Sequence, residues 1–232
     1  MPPLPAQAAY DAIAAEYDAA VAPSAWVRER LWERLDDLFP PGSRVLDATA
    51  GTGLDALHLA GRGVEVTACD LSPGMLARLS AAAPGIPTCV ADFNRLDEAG
   101  LDGPFDGLIS TFAGLNAAPD LAGFARAAAR LVRPGGVLFL HVLSRWRKGG
   151  RRTLTVRIAG VAVPHRLWTS SELVRVFATE FSLSRIAGQG ILRPVDDPGR
   201  FAGRDRWERA LSALPIARGL GTFLTLELIR RG

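Results

Sequence analysis

The sequence predicts an α/β protein with a doubly wound sheet, and two observations carry that reading. Short apolar runs alternate with helix-patterned stretches between Pro40 and Ser144, and the first run passes straight into glycines that open a helix. Strand and helix in alternation imply parallel strands joined by right-handed crossovers, with helices on both faces of the sheet.

The elements follow in order. Ala8 to Phe39 reads as helices, because Ile13, Tyr17 and Val21, then Trp26, Leu31, Leu35 and Leu38, recur at helical spacing; Pro23-Ser24 divides the two, with Ser24 as the expected N-cap. The strand runs are Arg44 to Thr49, Val64 to Cys69, Pro87 to Ala91, Phe105 to Ser110 and Val137 to Leu143. Helices are expected to begin near Leu54, Pro73 and Asp120, the last stopping at a turn over Arg133-Pro134-Gly135-Gly136. Beyond Ser144 the alternation fails. A basic turn leads into a hairpin, Thr153 to Ile158 and Val161 to Pro164, around Gly160. Then come a helix from Thr169 to Phe181 capped by Thr169 or Ser170, an apolar stretch Leu183 to Leu192, a helix from Arg200 to Leu214 and a strand Thr222 to Ile229.

The bulk numbers bound the class. With 232 residues, 48% hydrophobic and 22% charged, the chain reads as one globular domain without long disorder. The first residues lack the basic start and apolar run of a secretory signal, and no segment approaches about 18 uninterrupted apolar residues, so a cytoplasmic protein without a membrane span is expected. Cys69 and Cys89 have no metal-ligand spacing, so they are read as reduced core residues, with no disulfide and no metal. The net charge of +3 hides a polarity: residues 1–144 hold 10 Lys and Arg against 17 Asp and Glu, residues 145–232 hold 17 against 7. The two parts are expected to do different work.

The most informative stretch runs from Val45 to Ala56. A strand ending in Gly51-Thr52-Gly53 before a helix turns helix N-terminal amides toward a ligand. Taken alone, it also satisfies the dinucleotide fingerprint. Asp47 separates the two readings, because a carboxylate at that point repels a pyrophosphate but accepts hydrogen bonds from an ammonium. Asp70 ends the second strand, where it can accept from two ribose hydroxyls, and Leu71 can cover an adenine face. Asp92-Phe93, at the tip of the third, supplies an acceptor for an exocyclic amine and an aromatic wall. Open α/β sheets bind ligands at these strand ends.

Six ordered motifs give the chain a resemblance: Tyr10 to Asp18, Asp47 to Gly53, Cys69 to Leu76, Ala91 to Phe93, Phe105 to Asn116 and Leu131 to Gly136. Together they resemble the class I, Rossmann-like S-adenosylmethionine-dependent methyltransferases of small-molecule type. The resemblance implies a seven-stranded, mostly parallel sheet with its last strand antiparallel, a helical lid over residues 1–40, a cofactor-binding core over 41–144 and a substrate-side hairpin and helical cap over 145–232. It implies that Asp47, Gly51 and Gly53 hold the methionine end of S-adenosylmethionine, that Asp70 binds the ribose, and that Asp92, Phe93 and Met75 surround the adenine. Ser110 and Thr111 would line the methyl-transfer side and Tyr17 would close over the cofactor, with S-adenosylhomocysteine as the product. Thr49 departs from the family, which usually has glycine there; it either hydrogen-bonds the cofactor or shifts it.

Methyl transfer from a sulfonium needs positioning, and a general base only for a poorly acidic acceptor. Of the three histidines, His58 reads as packing or surface, and His141 and His165 are the candidate bases. Asp106 reads as a turn residue. The turn of Arg145, Arg147, Lys148, Arg151 and Arg152 beside Trp146 fits a solvated face, an anion-recognising site or an RNA footprint. A small-molecule acceptor, hydrophobic or anionic, is the expected partner. RNA methylation, binding of S-adenosylmethionine without transfer, and a nicotinamide dehydrogenase remain the alternatives. The acceptor and the oligomeric state are not legible.

Overall fold

A computed structural model describes residues 6–118, 120–146, 149–192, 194–195, 203, 205–214 and 218–232. The expected strands form as β1 (Arg44–Asp47), β2 (Glu65–Asp70), β3 (Thr88–Val90), β4 (Phe105–Ser110) and β5 (Val132–Leu143). They are followed by a hairpin, β6 (Thr153–Ile158) and β7 (Val161–Arg166), and by β8 (Phe181–Gln189) and β9 (Phe223–Arg230). Seven of them make one sheet in the order β3-β2-β1-β4-β5-β9-β8, parallel except for β9, which runs antiparallel to both β5 and β8. The β6–β7 hairpin is a separate two-stranded sheet, tipped by Ala159 and Gly160 at φ of 45° and 80°, the handedness a two-residue hairpin turn needs.

Helices cover both faces: α1 (Ala6–Ile13), α2 (Tyr17–Val21), α3 (Ala25–Leu38), α4 (Leu54–Gly61), α5 (Pro73–Ala82), α6 (Ala122–Leu131), α7 (Ser170–Phe177) and α8 (Asp205–Ala213). One apolar core joins Leu46, Leu108, Leu138 and Leu226 to Phe124 of α6 and Phe177 of α7; the other joins Val45, Ile109 and Phe139 to Leu35 of α3, Leu59 of α4 and Leu79 of α5. Because both faces are covered, β1, β4 and the second half of β5 are almost continuously buried.

Four local expectations are corrected. The turn over Arg133 to Gly136 lies inside β5, as an irregularity between the Phe105–Val132 and Gly107–Val137 pairs, and Arg133 is held there by Asp106 at 2.7 Å. The helix from Thr169 ends at Phe177, because Phe181 pairs with Arg230 and so begins β8. Ser24 occupies the N-cap position of α3 but its hydroxyl donates to the Val21 carbonyl at 2.7 Å instead of capping. The strand before Pro164 continues to Arg166. Thr169 does cap α7, in a reciprocal capping box with Glu172. The helix expected over 200–214 is observed as α8; residues 200–202 and 204 lie outside the described residues, as do Arg147 and Lys148 of the basic turn. Cys69 and Cys89 are free thiols facing one another across β2 and β3.

Candidate active site

The strand order reverses between β1 and β4, and the crevice opens beyond their C-terminal ends, the place where doubly wound sheets take ligands. Its wall brings together Tyr17, Thr49, Gly51, Asp70, Leu71, Met75, Phe93 and Thr111 from the sequence reading, and adds Tyr10, Arg28, Asp55 and Phe112. Gly51 and Gly53 adopt φ of 55° and 88°, and a Cβ on Gly53 would run into the Leu79 side chain. Glycine alone allows this loop to fold tightly against α5 and leave its amides at the crevice.

Asp70 stands at the top of β2, accepting from the Gly51 amide at 2.8 Å with one oxygen and from the Ser72 amide at 2.9 Å with the other. Burial raises its pKa, and these amides oppose the shift. Asp47 lies behind the crevice wall, almost wholly buried. One oxygen takes the Thr49 amide at 3.3 Å; the other, Oδ2, has no partner. Burial, with Asp55 and Asp70 adding to it, holds the Asp47 pKa well above the usual carboxylate range. Thr49 shares a 2.8 Å hydrogen bond with Ser110 under the crevice, and a Cβ on Gly114 would strike the Thr49 side chain, so Gly114 makes room for the threonine. Gly53, Ser110 and Asp92 do not reach the wall. Asp92 is exposed and caps the turn at Phe93–Glu98 through the Asn94 amide at 2.9 Å.

The N-terminal helices α1 and α2 are each tied down by an aspartate. Asp11 accepts from Ser72 Oγ at 2.5 Å and the Gly74 amide at 2.9 Å, and Asp18 from Thr52 Oγ1 at 2.5 Å. These bonds set Tyr10 and Tyr17 edge to face, with centroids 6.4 Å apart, over the crevice. Burial raises both phenol pKa values, so both tyrosines are uncharged.

Sequence reasoning missed a buried ion pair on the crevice floor. Arg28 of α3 meets Asp55 of α4 at 2.5 Å, and Asp55 also accepts from Trp32 Nε1 at 2.8 Å and from Thr111 Oγ1. Burial alone would raise the Asp55 pKa; Arg28 and these donors hold it below the usual range. The Arg28 guanidinium also lies 3.8 Å from the Phe112 ring centroid. Asp106 accepts from the Arg44 amide and Arg133, and His58 stacks on Trp32 at 4.4 Å, so both are structural.

The two candidate histidines separate. His141 is fully buried and reaches neither cavity. Its Nδ1 accepts the Phe112 amide at 3.1 Å and its carbonyl accepts the Ala113 amide at 3.1 Å, fixing two non-glycine residues at φ of 46° and 66°. Such backbone persists only when neighbours hold it. Burial lowers the His141 pKa to about 3, so the ring is neutral, with its lone pair already committed; His141 is thereby removed from the candidate bases. His165 instead lines a second cavity, of about 460 Å³, under the β6–β7 hairpin. Its Nδ1 donates to the Val163 carbonyl at 3.0 Å, which leaves Nε2 unprotonated, and burial lowers its pKa. Leu143, Leu154, Val156, Ile158 and Phe223 contribute hydrocarbon to its walls, and the cavity shares Tyr10, Tyr17 and Phe112 with the first crevice.

Residues 45–136 match the family model described as Methyltransferase domain. Among individual proteins, the chain is 38% identical over 138 residues to the demethylmenaquinone methyltransferase of Beutenbergia cavernae, covering 58% of this chain and 56% of that one. It is 36% identical over 132 residues to that of Mycolicibacterium vanbaalenii, covering 56% of each. The chain thus spans little more than half the length of these relatives. Among solved structures, the fold is shared with a DhpI–SAH complex (TM-score 0.67, 21% identity, 97% of this chain and 95% of that one). It is shared too with an S-adenosylmethionine-dependent methyltransferase from Mesorhizobium loti (TM-score 0.61, 22% identity, 86% and 97%).

Proposed function

We propose that the protein transfers a methyl group from S-adenosylmethionine to a small-molecule acceptor in the cytoplasm. The observation that carries this reading is the meeting of two cavities at Tyr10, Tyr17 and Phe112: one bears the carboxylates of Asp55 and Asp70, and the other holds a neutral histidine among Leu143, Leu154, Val156 and Ile158. The unpartnered Asp47 Oδ2 fits a cofactor that brings an ammonium, and the glycine loop fits one held by backbone amides. When bound, S-adenosylmethionine supplies a methyl group on a cationic sulfur that leaves as a neutral thioether. Asp47, Thr49 and Gly51 would serve its methionine end, with Gly53 shaping the loop behind them, Asp70 its ribose, and Leu71, Met75 and Phe93 its adenine. Tyr17 and Tyr10 exclude water above the crevice, and His165 Nε2 accepts the acceptor's proton.

Methyl-labelled S-adenosylmethionine incubated with the protein and host extract will place label in the organic-extractable fraction, and demethylmenaquinone serves as the first pure probe because the relatives are named for it. Label in RNA or protein instead, or none with any fraction, would reject this reading.

Asp47→Asn offers a second test. The folded state raises the Asp47 pKa, so the stability from its protonated form exists below the ordinary value and is lost as pH rises through the folded one. At neutral pH the neutral amide therefore suits the site better than a buried carboxylate. The variant should melt a few degrees higher, by about 2–4 °C for each kcal/mol gained, while S-adenosylhomocysteine binds about 10–100-fold more weakly for want of a charged acceptor. Calorimetric titration beside a thermal melt reads both; unchanged affinity would remove Asp47 from the binding set.

A further inference from the structure

Six large hydrophobic side chains are conspicuously exposed among the described residues, and four of them gather on the C-terminal cap: Trp146 (60%), Trp207 (56%), Leu220 (54%) and Leu214 (50%). They are connected through the fold. Trp146 sits beside the turn at Arg218–Leu220, its ring 3.9 Å from where a Gly219 Cβ would stand, and α8 packs on the same turn. Trp207 projects from α8, and Leu214 follows directly after the last residue of that helix. Exposed apolar groups clustered in this way mark a surface that meets something.

Charge says what that something is. Residues 145–232 carry 17 Lys and Arg against 7 Asp and Glu. Arg151 and Arg152 are exposed just beyond Trp146, and the Arg206 guanidinium lies 5.3 Å from the Trp207 ring. We propose that this cap docks the protein on an anionic lipid surface, with the two tryptophans and two leucines entering the headgroup boundary and the arginines meeting the phosphates. Tryptophan and arginine are side chains that settle at a bilayer boundary, and basic groups near such a surface add attraction to anionic lipids. Aromatics alone would suit stacked bases equally well, but the leucines offer nothing to stack and hydrocarbon accepts them. No helix among the described residues is long and apolar enough to cross a membrane, so contact is with the surface only.

The position of the patch matters as much as its content. Leu143 and the pair Thr222 and Phe223 line the cavity under the hairpin, and the chain segments leading directly from them carry Trp146 and Leu220. A lipid surface held there lies next to the cavity, so a lipophilic molecule enters without passing through bulk water.

The test is sedimentation with vesicles of phosphatidylcholine alone and of phosphatidylcholine mixed with phosphatidylglycerol. The protein should pellet with the mixed vesicles, less so as salt rises, with a blue shift in tryptophan emission. Trp146→Ser with Leu220→Ser should weaken partitioning by about tenfold or more, equivalent to about 1.4 kcal/mol, and Trp207→Ser should weaken it independently. Leu183→Ser, an exposed residue of β8, should leave it unchanged. Melting curves establish that each variant is folded. Equal pelleting with neutral and mixed vesicles, retention of binding in folded cap variants, or preferential capture of polyuridylate that the same substitutions abolish would each overturn the proposal. So would a concentration-dependent dimer that the cap substitutions dissolve. The readout needs no methyl donor, so its failure and a failure of methyl transfer are told apart.

Discussion

His165→Phe will lower turnover by about 10²- to 10⁴-fold, the contribution of a positioned general base, while S-adenosylhomocysteine binds as tightly as before. The phenyl ring fills nearly the same space as the imidazole but removes the lone pair of Nε2, together with the Nδ1–H donor to the Val163 carbonyl. That lone pair is available because Nδ1–H is committed to the Val163 carbonyl. Burial lowers the pKa of His165, so the base is already unprotonated below the ordinary imidazole value near 6.5. Activity should hold as pH falls through that value and decline only at the lower, folded one. Steady-state kinetics with the acceptor recovered from the labelling experiment checks both statements. A rate within threefold of the parent would mean that the acceptor ionises unaided.

Removing Asp55 should have the largest effect on stability. Asp55→Ala leaves Arg28 buried on the crevice floor without its counter-charge, and loss of one partner from such a pair costs about 3–5 kcal/mol. Trp32 and Thr111 lose their acceptor as well. For a chain of this size that is about 6–20 °C in melting temperature. The folded state depresses the Asp55 pKa, so its stabilisation is present above the unfolded value near 3.9 and disappears as pH falls through the folded one. The gap between parent and variant should accordingly narrow in acid. Melts at neutral and acidic pH decide it, and a variant melting within two or three degrees of the parent would show that Arg28 finds another partner.

What the sequence made visible was periodic or local. Runs such as Val45-Leu46 and Gly107 to Ile109 are buried strands because nothing polar interrupts them, and the glycine loop announces itself by composition. Thr169 and Glu172 state their cap in four residues. What stayed hidden depends on distance. Arg28 and Asp55 sit on different helices, and neither is unusual in its own neighbourhood. His141 looks like a base from its place near the end of β5, yet its ring is turned onto the Phe112–Ala113 backbone, whose positive φ angles no local pattern betrays. Pro134 and the glycines beside it spell a turn, and the sheet absorbs them as an irregularity because Val132 and Val137 both find partners on β4.

The central place of β9 has a consequence for how the molecule is made. β5 pairs with it along Val137 to Leu143, and β8 along its other side, so neither of those strands has a neighbour there until residues 223–230 have been synthesised. As the nascent chain lengthens, β5 carries an open hydrogen-bonding edge through the whole interval in which the hairpin, α7 and β8 emerge. An open apolar edge is a template for the wrong chain. Assembly of this half of the sheet therefore waits until residues 223–230 have left the ribosome.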